Sequence, residues 1–311
     1  MATTTANQNL NVNKRVYEAF LSGANKYTEQ GLKIFNEVSP ERMTEMASIS
    51  TGLGLLDQVA ENAVYPEASL DEFGSKSVTQ VMYRKALPYS MLMQRFDNYR
   101  VVEREAARGG FRMKQTRDNV MSSILRGATT TTTTWDSLSL ANASHLIGTT
   151  GATQSNVVTG GLTEPNLITA IQRLFEMRDH DNVVGSLPAA QLIVPAALDN
   201  TAKRLLASMG SPSTANRYTN PLMTAPNAND GSGIEVVTWA QLGAVNPGGS
   251  DTTCYLVADK MFHRLDYLES IGPKMTPITP DKTNNGSFSY RFDYAAAAVA
   301  VDYFGVVAIT A

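Results

Sequence analysis

A long amphipathic segment in the first half of the chain constrains the fold most strongly. From Asn98 to Arg126 apolar residues recur at three- and four-residue steps, which predicts one long helix. The Gly109-Gly110 pair weakens this helix midway and predicts a bend. Its predicted apolar face comprises Val102, Ala106, Gly109, Met113, Val120 and Ile124.

The other face of the same helix is basic. Arg100, Arg104 and Arg108 are spaced by four residues and begin opposite the apolar face. The segment holds seven Lys and Arg residues against three acids. Two interpretations stay open: a solvated face with local ion-pair partners, or a surface that meets DNA or an acidic patch of a neighbouring subunit.

The chain ends on residues that predict sheet. Four aromatic residues alternate with other residues, and an apolar run follows as far as Ile309. The aromatic residues are Phe288, Tyr290, Phe292 and Tyr294. One face of such a strand needs an apolar cover, and we expect the helix to supply it.

The segments before the helix are less regular. Residues 1–12 predict a polar arm, and an apolar helical stripe runs from Asn13 to Val38. Residues 48–97 show no sustained helical period, and an excursion this long predicts a segment that reaches a partner. Candidate intersubunit residues in it are Lys76, Tyr83, Arg84 and Lys85.

The middle of the chain predicts a separate α/β part. Thr163-Glu164-Pro165 combines an N-cap, an acid and an early proline, which predicts a helix start. Gln191–Val194, Ile234–Trp239 and Cys254–Ala258 predict strands. Residues 210–233 are rich in Gly, Pro, Ser, Asn and Asp and predict a surface loop.

Composition excludes several classes of protein. A chain of 311 residues with 43% hydrophobic residues can bury a sizeable core. Its net charge of -3 excludes a globally basic nucleic-acid coat. A single cysteine, Cys254, excludes an intrachain disulfide and fits synthesis in a reducing cytosol. We expect neither a signal peptide nor a membrane span.

Motifs of known enzymes are absent from the sequence. It contains no Walker A, dinucleotide-binding, zinc-protease, CxxC or nucleophile-elbow pattern. His145, His180 and His263 lie far apart in sequence, and Asp179-His180-Asp181 is better explained as a solvated helix end than as a cation site. We therefore expect no catalytic residues, no cofactor and no metal.

The order of elements resembles the major capsid proteins of tailed phages, which share the Hong Kong 97 fold. Residues in the middle of the chain are similar to a stretch of Mu-like major head subunits. They are Ser144-His145, Gly151, Ser155-Asn156, Leu162-Thr163, Leu192–Leu198, Ala202, Leu205–Ser208, Asn216 and Asn220-Pro221. The resemblance implies an α+β fold with an N-arm, an extended loop (E-loop), a long spine helix in a peripheral P-domain, and an axial A-domain.

That architecture divides the chain into four regions. Residues 1–47 would form the N-terminal arm and helix, and 48–97 the E-loop region. Residues 98–162 and 256–311 would form the P-domain, with the spine helix and the terminal strands. Residues 163–255 would form the A-domain.

The resemblance also implies a function. Subunits would assemble into pentamers and hexamers of an icosahedral shell around double-stranded DNA, in a virion built in the bacterial cytoplasm. Expected partners are other copies of the chain, a separate scaffolding protein, a portal, a decoration protein and DNA contacted without sequence specificity, but no membrane. The alternatives are an encapsulin-like nanocompartment and, from another class, an unfamiliar hydrolase with a pocket of His, Asp or Ser.

Overall fold

Two sheets and one long helix organise the subunit. The computed structural model describes residues 5–50, 54–61, 64–67, 72–90, 100–148, 151–207, 222, 233–278 and 288–311. The helices are α1 (Thr5–Ala24), α2 (Gly31–Ile34), α3 (Val101–Arg126), α4 (Glu164–Glu176) and α5 (Asp199–Ala207). The strands before α4 are β1 (Asn36–Val38), β2 (Thr44–Ser50), β3 (Glu72–Thr79), β4 (Val81–Tyr89), β5 (His145–Leu146), β6 (Thr153–Gln154) and β7 (Val157–Thr159).

The remaining strands complete the two sheets. They are β8 (Ala189–Val194), β9 (Glu235–Thr238), β10 (Cys254–Ala258), β11 (Leu265–Ile278), β12 (Phe288–Ala300) and β13 (Val306–Thr310). The first sheet has the order β1-β11-β12-β4, and the second has the order β7-β13-β10-β8-β9. Two hairpins, β2–β3 and β5–β6, lie outside them.

Helix α3 packs on the first sheet, as predicted. Tyr290 and Tyr294 of β12 are buried in one apolar core with Val102 and Met113 of the helix. At the C-terminal end of α3 the predicted face is wrong by one residue. Met121 and Leu125 are fully buried there, whereas the predicted Val120 and Ile124 are only partly buried. The face moves because 3.6 residues per turn shift it gradually along a long helix.

The glycine pair allows close packing on two sides of α3. A Cβ at Gly110 would overlap the carbonyl oxygen of Phe20 in α1. A Cβ at Gly109 would lie 2.7 Å from the ring of Phe292 in β12. The helix runs through the pair without interruption. The pair therefore lets α1 and β12 approach the α3 backbone, a role that the predicted bend did not anticipate.

The N-terminal segment differs from the prediction. Helix α1 already begins at Thr5, inside the expected polar arm, and Val16 and Phe20 pack on the subunit's own core. The expected helix does not continue to Val38. The chain turns after Ala24, and β1 pairs in parallel with β11 instead. The apolar spacing continues across this turn because Ile34, in the short helix α2, and the following Phe35 are buried in the same core, whereas Val38 is exposed.

The expected E-loop region separates into three parts. Strand β4 is part of the first sheet, paired along its length with β12, so residues 81–89 belong to the subunit's own fold. The β2–β3 hairpin packs on the opposite face of that sheet, where Ile49 and Val78 meet Leu268 and Val299. Residues 54–61 and 64–67 lie between β2 and β3 and are exposed throughout. The prediction that 48–97 is one excursion toward a partner is therefore wrong for strands β3 and β4, which pair within the subunit.

The α/β part agrees with the prediction. The Thr163 hydroxyl accepts a hydrogen bond from the Asn166 amide at 3.4 Å and caps α4. Strands β8, β9 and β10 form where the sequence predicts them. The last strand, β13, and the short β7 both pair into this second sheet. The predicted loop at 210–233 lies almost wholly outside the described residues.

Candidate assembly surfaces

An open groove of about 650 Å³ lies between α3 and the edge strand β4. It forms where Gly109 brings the helix close to the ring of Phe292. Its walls include the apolar side chains of Met82, Leu87, Met113, Phe292 and Tyr294. A groove that is largely apolar and open to solvent can receive an extended segment of another chain.

The charged residues of the groove are mostly basic. Four cations line it, with one acid, Glu105. The cations are Arg84, Lys85, Arg108 and Arg112, all exposed. Arg108 donates to Glu105 at 2.6 Å, and Arg84 forms an ion pair with Asp293 at 3.3 Å. Two acids thus offset two of the four cations, and the groove keeps a net positive charge.

The structure gathers only some of the predicted site residues. Tyr83, Arg84 and Lys85 come together in this groove with Arg108, which lies more than 20 positions further along the chain. Lys76 is elsewhere and donates to the Thr133 hydroxyl of its own subunit at 2.5 Å. The residues predicted for the extended loop and the arginine predicted for the helix thus form one surface.

The two other predicted arginines lie toward the start of α3. Arg104 is exposed, and Arg100 occupies the N-cap with a positive φ of 51°. Neither lines the groove. Arg112, which does line it, was not predicted as a site residue. The same four-residue spacing that singled out Arg100, Arg104 and Arg108 would have found it.

A second surface is the segment between β2 and β3. Leu55, Leu56, Val64 and Tyr65 are 76%, 95%, 91% and 87% exposed. Large apolar side chains in such a run mark an interaction site on a soluble protein. The sequence predicted the excursion but not these residues, whose signal is an apolar run with no basic residue from 51 to 75.

Beneath α3 lies a buried polar network that the sequence did not indicate. Asp118 is fully buried and accepts hydrogen bonds from four donors. They are the Tyr27 hydroxyl, the Trp239 indole N–H and the Gly31 amide, each at 2.8 Å, and the Gln30 amide at 3.1 Å. Burial raises the pKa of Asp118, and these hydrogen bonds oppose the shift. The network joins α3 to the segment after α1 and to Trp239, which directly follows strand β9 of the second sheet.

Arg117, next to Asp118, is also buried. Its guanidinium lies 3.0 Å from the Glu269 carboxylate and 5.3 Å from the centre of the Tyr267 ring. A buried guanidinium is tolerated only with such partners. Arg117 thus holds α3 on β11 of the first sheet, and we assign it a structural role.

The histidines are used in the fold. His145 bonds to Asp136 at 2.7 Å and stacks on Tyr303, and His180 bonds to Asp302 at 2.8 Å. Among the described residues, no group of three or more His, Cys, Asp and Glu side chains could hold a metal ion. Within the same residues, no helix has the length and apolar character needed to cross a membrane.

Comparisons with known proteins agree with this geometry. The model of a family described as phage capsid protein matches residues 74–309. The capsid of a native GTA particle has 10% sequence identity and a TM-score of 0.56, covering 91% of each chain. The mature capsid of bacteriophage PhiM1 has 14% identity and a TM-score of 0.55, covering 91% of this chain and 87% of that one.

A third structure is similar over nearly its whole length. The virus-like particle from Pyrococcus furiosus has 10% identity and a TM-score of 0.54, covering 95% of this chain and 98% of that chain. No curated protein matches the sequence. The fold is therefore the Hong Kong 97 fold of shell-forming capsid subunits, as the sequence predicted. The chain belongs to the phage capsid protein family, and its function is that of a major capsid protein.

Proposed function

We propose that copies of this capsid protein assemble into pentamers and hexamers, which close an icosahedral shell around packaged double-stranded DNA. The family match over 74–309 carries the proposal. It makes the protein a virion component whose main partner is another copy of itself. The protein acts by assembly, and the proposal assigns catalysis to none of its residues.

The described surfaces support assembly. Leu55, Leu56, Val64 and Tyr65 are large apolar side chains that the subunit itself leaves exposed. Burying such surface contributes about 25 cal/mol per Å². Many copies of one modest contact can therefore sum to a durable shell, and heterologous contacts of this kind close by rotational symmetry.

The other expected partners belong to the same proposal. A separate scaffolding protein would guide shell size, a portal would occupy one vertex, and a decoration protein would bind outside. Arg100 and Arg104 are exposed on α3 and would meet DNA or a neighbouring subunit. Contact with DNA would be sensitive to salt and independent of sequence.

We retain the division into domains as a proposal with two changes. The P-domain would contain α3 and the first sheet, and the A-domain would contain α4, α5 and the second sheet. Because β7 and β13 pair into the second sheet, they would move to the A-domain. The E-loop would be limited to the β2–β3 hairpin and the segment at its end.

An encapsulin-like shell is the second candidate. The holo-SrpI encapsulin complex from Synechococcus elongatus has a TM-score of 0.52 and 8% identity, covering 91% of this chain and 87% of that one. That likeness shows a shared fold. A cargo-enzyme gene beside this one would favour the encapsulin alternative, and terminase and portal genes would favour the phage capsid.

One experiment tests the proposed function. The chain is expressed with its scaffolding, portal and terminase proteins, and the particles are purified after nuclease treatment. We expect closed shells that protect double-stranded DNA. Closed shells that form from this chain alone and protect a cargo enzyme but no DNA would instead establish the encapsulin alternative.

A further inference from the structure

Two histidine–aspartate pairs lie beside the stretch where the chain leaves the first sheet for the second. We call this stretch, residues 301–305, the crossing segment. Nδ1 of His145 lies 2.7 Å from the Asp136 carboxylate, and Nε2 of His180 lies 2.8 Å from the Asp302 carboxylate. The side chains of His145 and Asp136 have no exposed surface, so water cannot replace either partner.

Both ring nitrogens of His145 face oxygen atoms that can only accept hydrogen bonds. Nδ1 faces the Asp136 carboxylate, and Nε2 lies 3.2 Å from the Leu140 carbonyl oxygen. A neutral imidazole carries one N–H, so its second nitrogen would direct a lone pair at an oxygen in a site without water. The doubly protonated ring donates to both oxygens.

The environment of Asp136 favours a charged carboxylate. Its other oxygen accepts hydrogen bonds from the Thr134 hydroxyl at 2.6 Å and the Leu138 amide at 3.1 Å. Burial alone would raise the pKa of Asp136, but the hydrogen bonds from His145 and Thr134 outweigh it and lower that pKa. A buried carboxylate needs a positive partner, and His145 is placed to supply it.

The pair holds the turn after α3 against the crossing segment. The His145 ring stacks on the Tyr303 ring, with centroids 4.0 Å apart and planes 11° apart. The Tyr303 hydroxyl donates to the carbonyl of Leu146 at 2.6 Å, which fixes the β5–β6 hairpin to the same segment. The titratable groups around His145 are thus Asp136 and Tyr303, with Asp302 and its partner His180 on the crossing segment beyond them.

We infer that His145 and Asp136 form a buried ion pair that acts as a pH-sensitive latch between the turn after α3 and the crossing segment. Loss of the imidazole proton at alkaline pH removes one of the two hydrogen bonds and the attraction to Asp136. The crossing segment, which joins the two sheets, then loosens. The latch belongs to the single subunit, so its test does not depend on shell formation.

Urea unfolding of the isolated subunit at two pH values tests the charge of His145. From pH 7 to pH 8 the unfolding equilibrium constant should rise about eightfold more in the unaltered subunit than in His145→Gln. The reason is that a histidine of the unfolded chain loses its proton near pH 6.5, whereas folded His145 keeps it, so folding takes up a proton. Equal pH dependence in the two proteins would overturn the inference.

A matched control removes another buried histidine. Nδ1 of His263 accepts a hydrogen bond from the Leu265 amide, so this ring has no use for a second proton. His263→Asn should therefore keep the rise of the unaltered subunit between pH 7 and pH 8. Loss of the rise in this variant as well would mean that the pH dependence does not come from His145.

Nitrogen-15 NMR of the unaltered subunit, labelled at histidine, needs no variant at position 145. At pH 8 we expect one ring with both nitrogens protonated, and it should persist in His180→Gln and His263→Asn. A neutral His145 ring, including one that accepts a proton from Asp136, would overturn the ion pair.

Hydrogen exchange tests the latch itself. Once higher pH has removed the His145 proton, the backbone amides of 301–306 should exchange about tenfold faster or more, after correction for the intrinsic effect of pH. Unchanged protection there would overturn the latch.

Discussion

His263 is a buried base held in its neutral form. Its Nδ1 accepts a hydrogen bond from the Leu265 amide at 3.3 Å, and only 1% of the residue is exposed. Burial and the nearby Lys260 charge lower its pKa to about 4, although Asp259 opposes the shift. A proton on Nδ1 would face an N–H group, so the folded state resists protonation.

This pKa predicts a pH dependence. Because the pKa is lower in the folded state than in the unfolded state, the stabilisation is present above about pH 6.5 and is lost as the pH falls toward 4. Between pH 7 and pH 5 the subunit should lose about 2 kcal/mol of unfolding free energy through this group. His263→Asn keeps an acceptor and does not titrate, so urea unfolding at the two pH values should show that much less loss. An equal loss in both proteins would contradict the assignment.

The burial and the partners of single residues were the hardest features to predict from the sequence. Arg117 and Asp118 read in the sequence as part of a charged helix surface, yet both are buried. Their partners come from positions 29–31, 239 and 267–269, far away in the chain. Only the folded topology brings them together, so local sequence carries no signal for this network.

At the scale of elements, the glycine pair of α3 makes a graded prediction. Gly110→Ala should destabilise the subunit by about 1–3 kcal/mol, although alanine favours helices, because its Cβ meets the α1 backbone. Gly109→Ala should cost less, since its Cβ meets the far end of the Phe292 ring. Chemical denaturation of the two variants checks the order. If Gly110→Ala is as stable as Gly109→Ala, or more stable, α1 does not approach α3 as closely as the structure shows.

The basic face of α3 makes a second prediction. Changing Arg100, Arg104 and Arg108 together to Gln should cost the subunit little, because exposed charges contribute about 0–1 kcal/mol each. Met113→Ala, on the buried face, should cost about 2–5 kcal/mol. The triple variant should instead weaken assembly or DNA retention, most visibly at low salt. If the triple variant unfolds and Met113→Ala has no effect, the buried and exposed faces of α3 are reversed.

Elements were predicted well wherever periodicity alone defines them. The helix that contains Met113 and the alternating strand at Tyr290 to Tyr294 both form and pack together. Strand β4 was not predicted as core because its own residues are mostly exposed. It becomes part of the fold by hydrogen bonding to β12, and backbone pairing leaves little trace in residue type.

At the scale of the whole molecule, residues 54–67 should be dispensable for folding and needed for assembly. In this range every described side chain is exposed, so a Gly-Ser run of equal length should leave the core intact. We expect a cooperative thermal melt close to that of the unaltered subunit, and no shells by light scattering. A lost melt would place the segment in the folding core, and normal shells would remove it from assembly.

The order of elements along the chain indicated the architecture, while the division of the terminal strands did not follow from it. β12 and β13 are separated by five residues yet enter different sheets. The intervening Asp302 and Tyr303 are buried and bond to His180 and Gln154. This crossing ties the two parts of the subunit together, and it depends on long-range partners that the local sequence pattern does not specify.

Electron cryomicroscopy of the chain expressed with its scaffold shows whether the protein builds a shell. We predict closed icosahedral shells with five-fold and six-fold clusters of subunits, in which α3 and the first sheet of each subunit are recognisable. A stable monomer at high concentration, with the full amount of scaffold present, would show that the protein is not a shell-forming subunit.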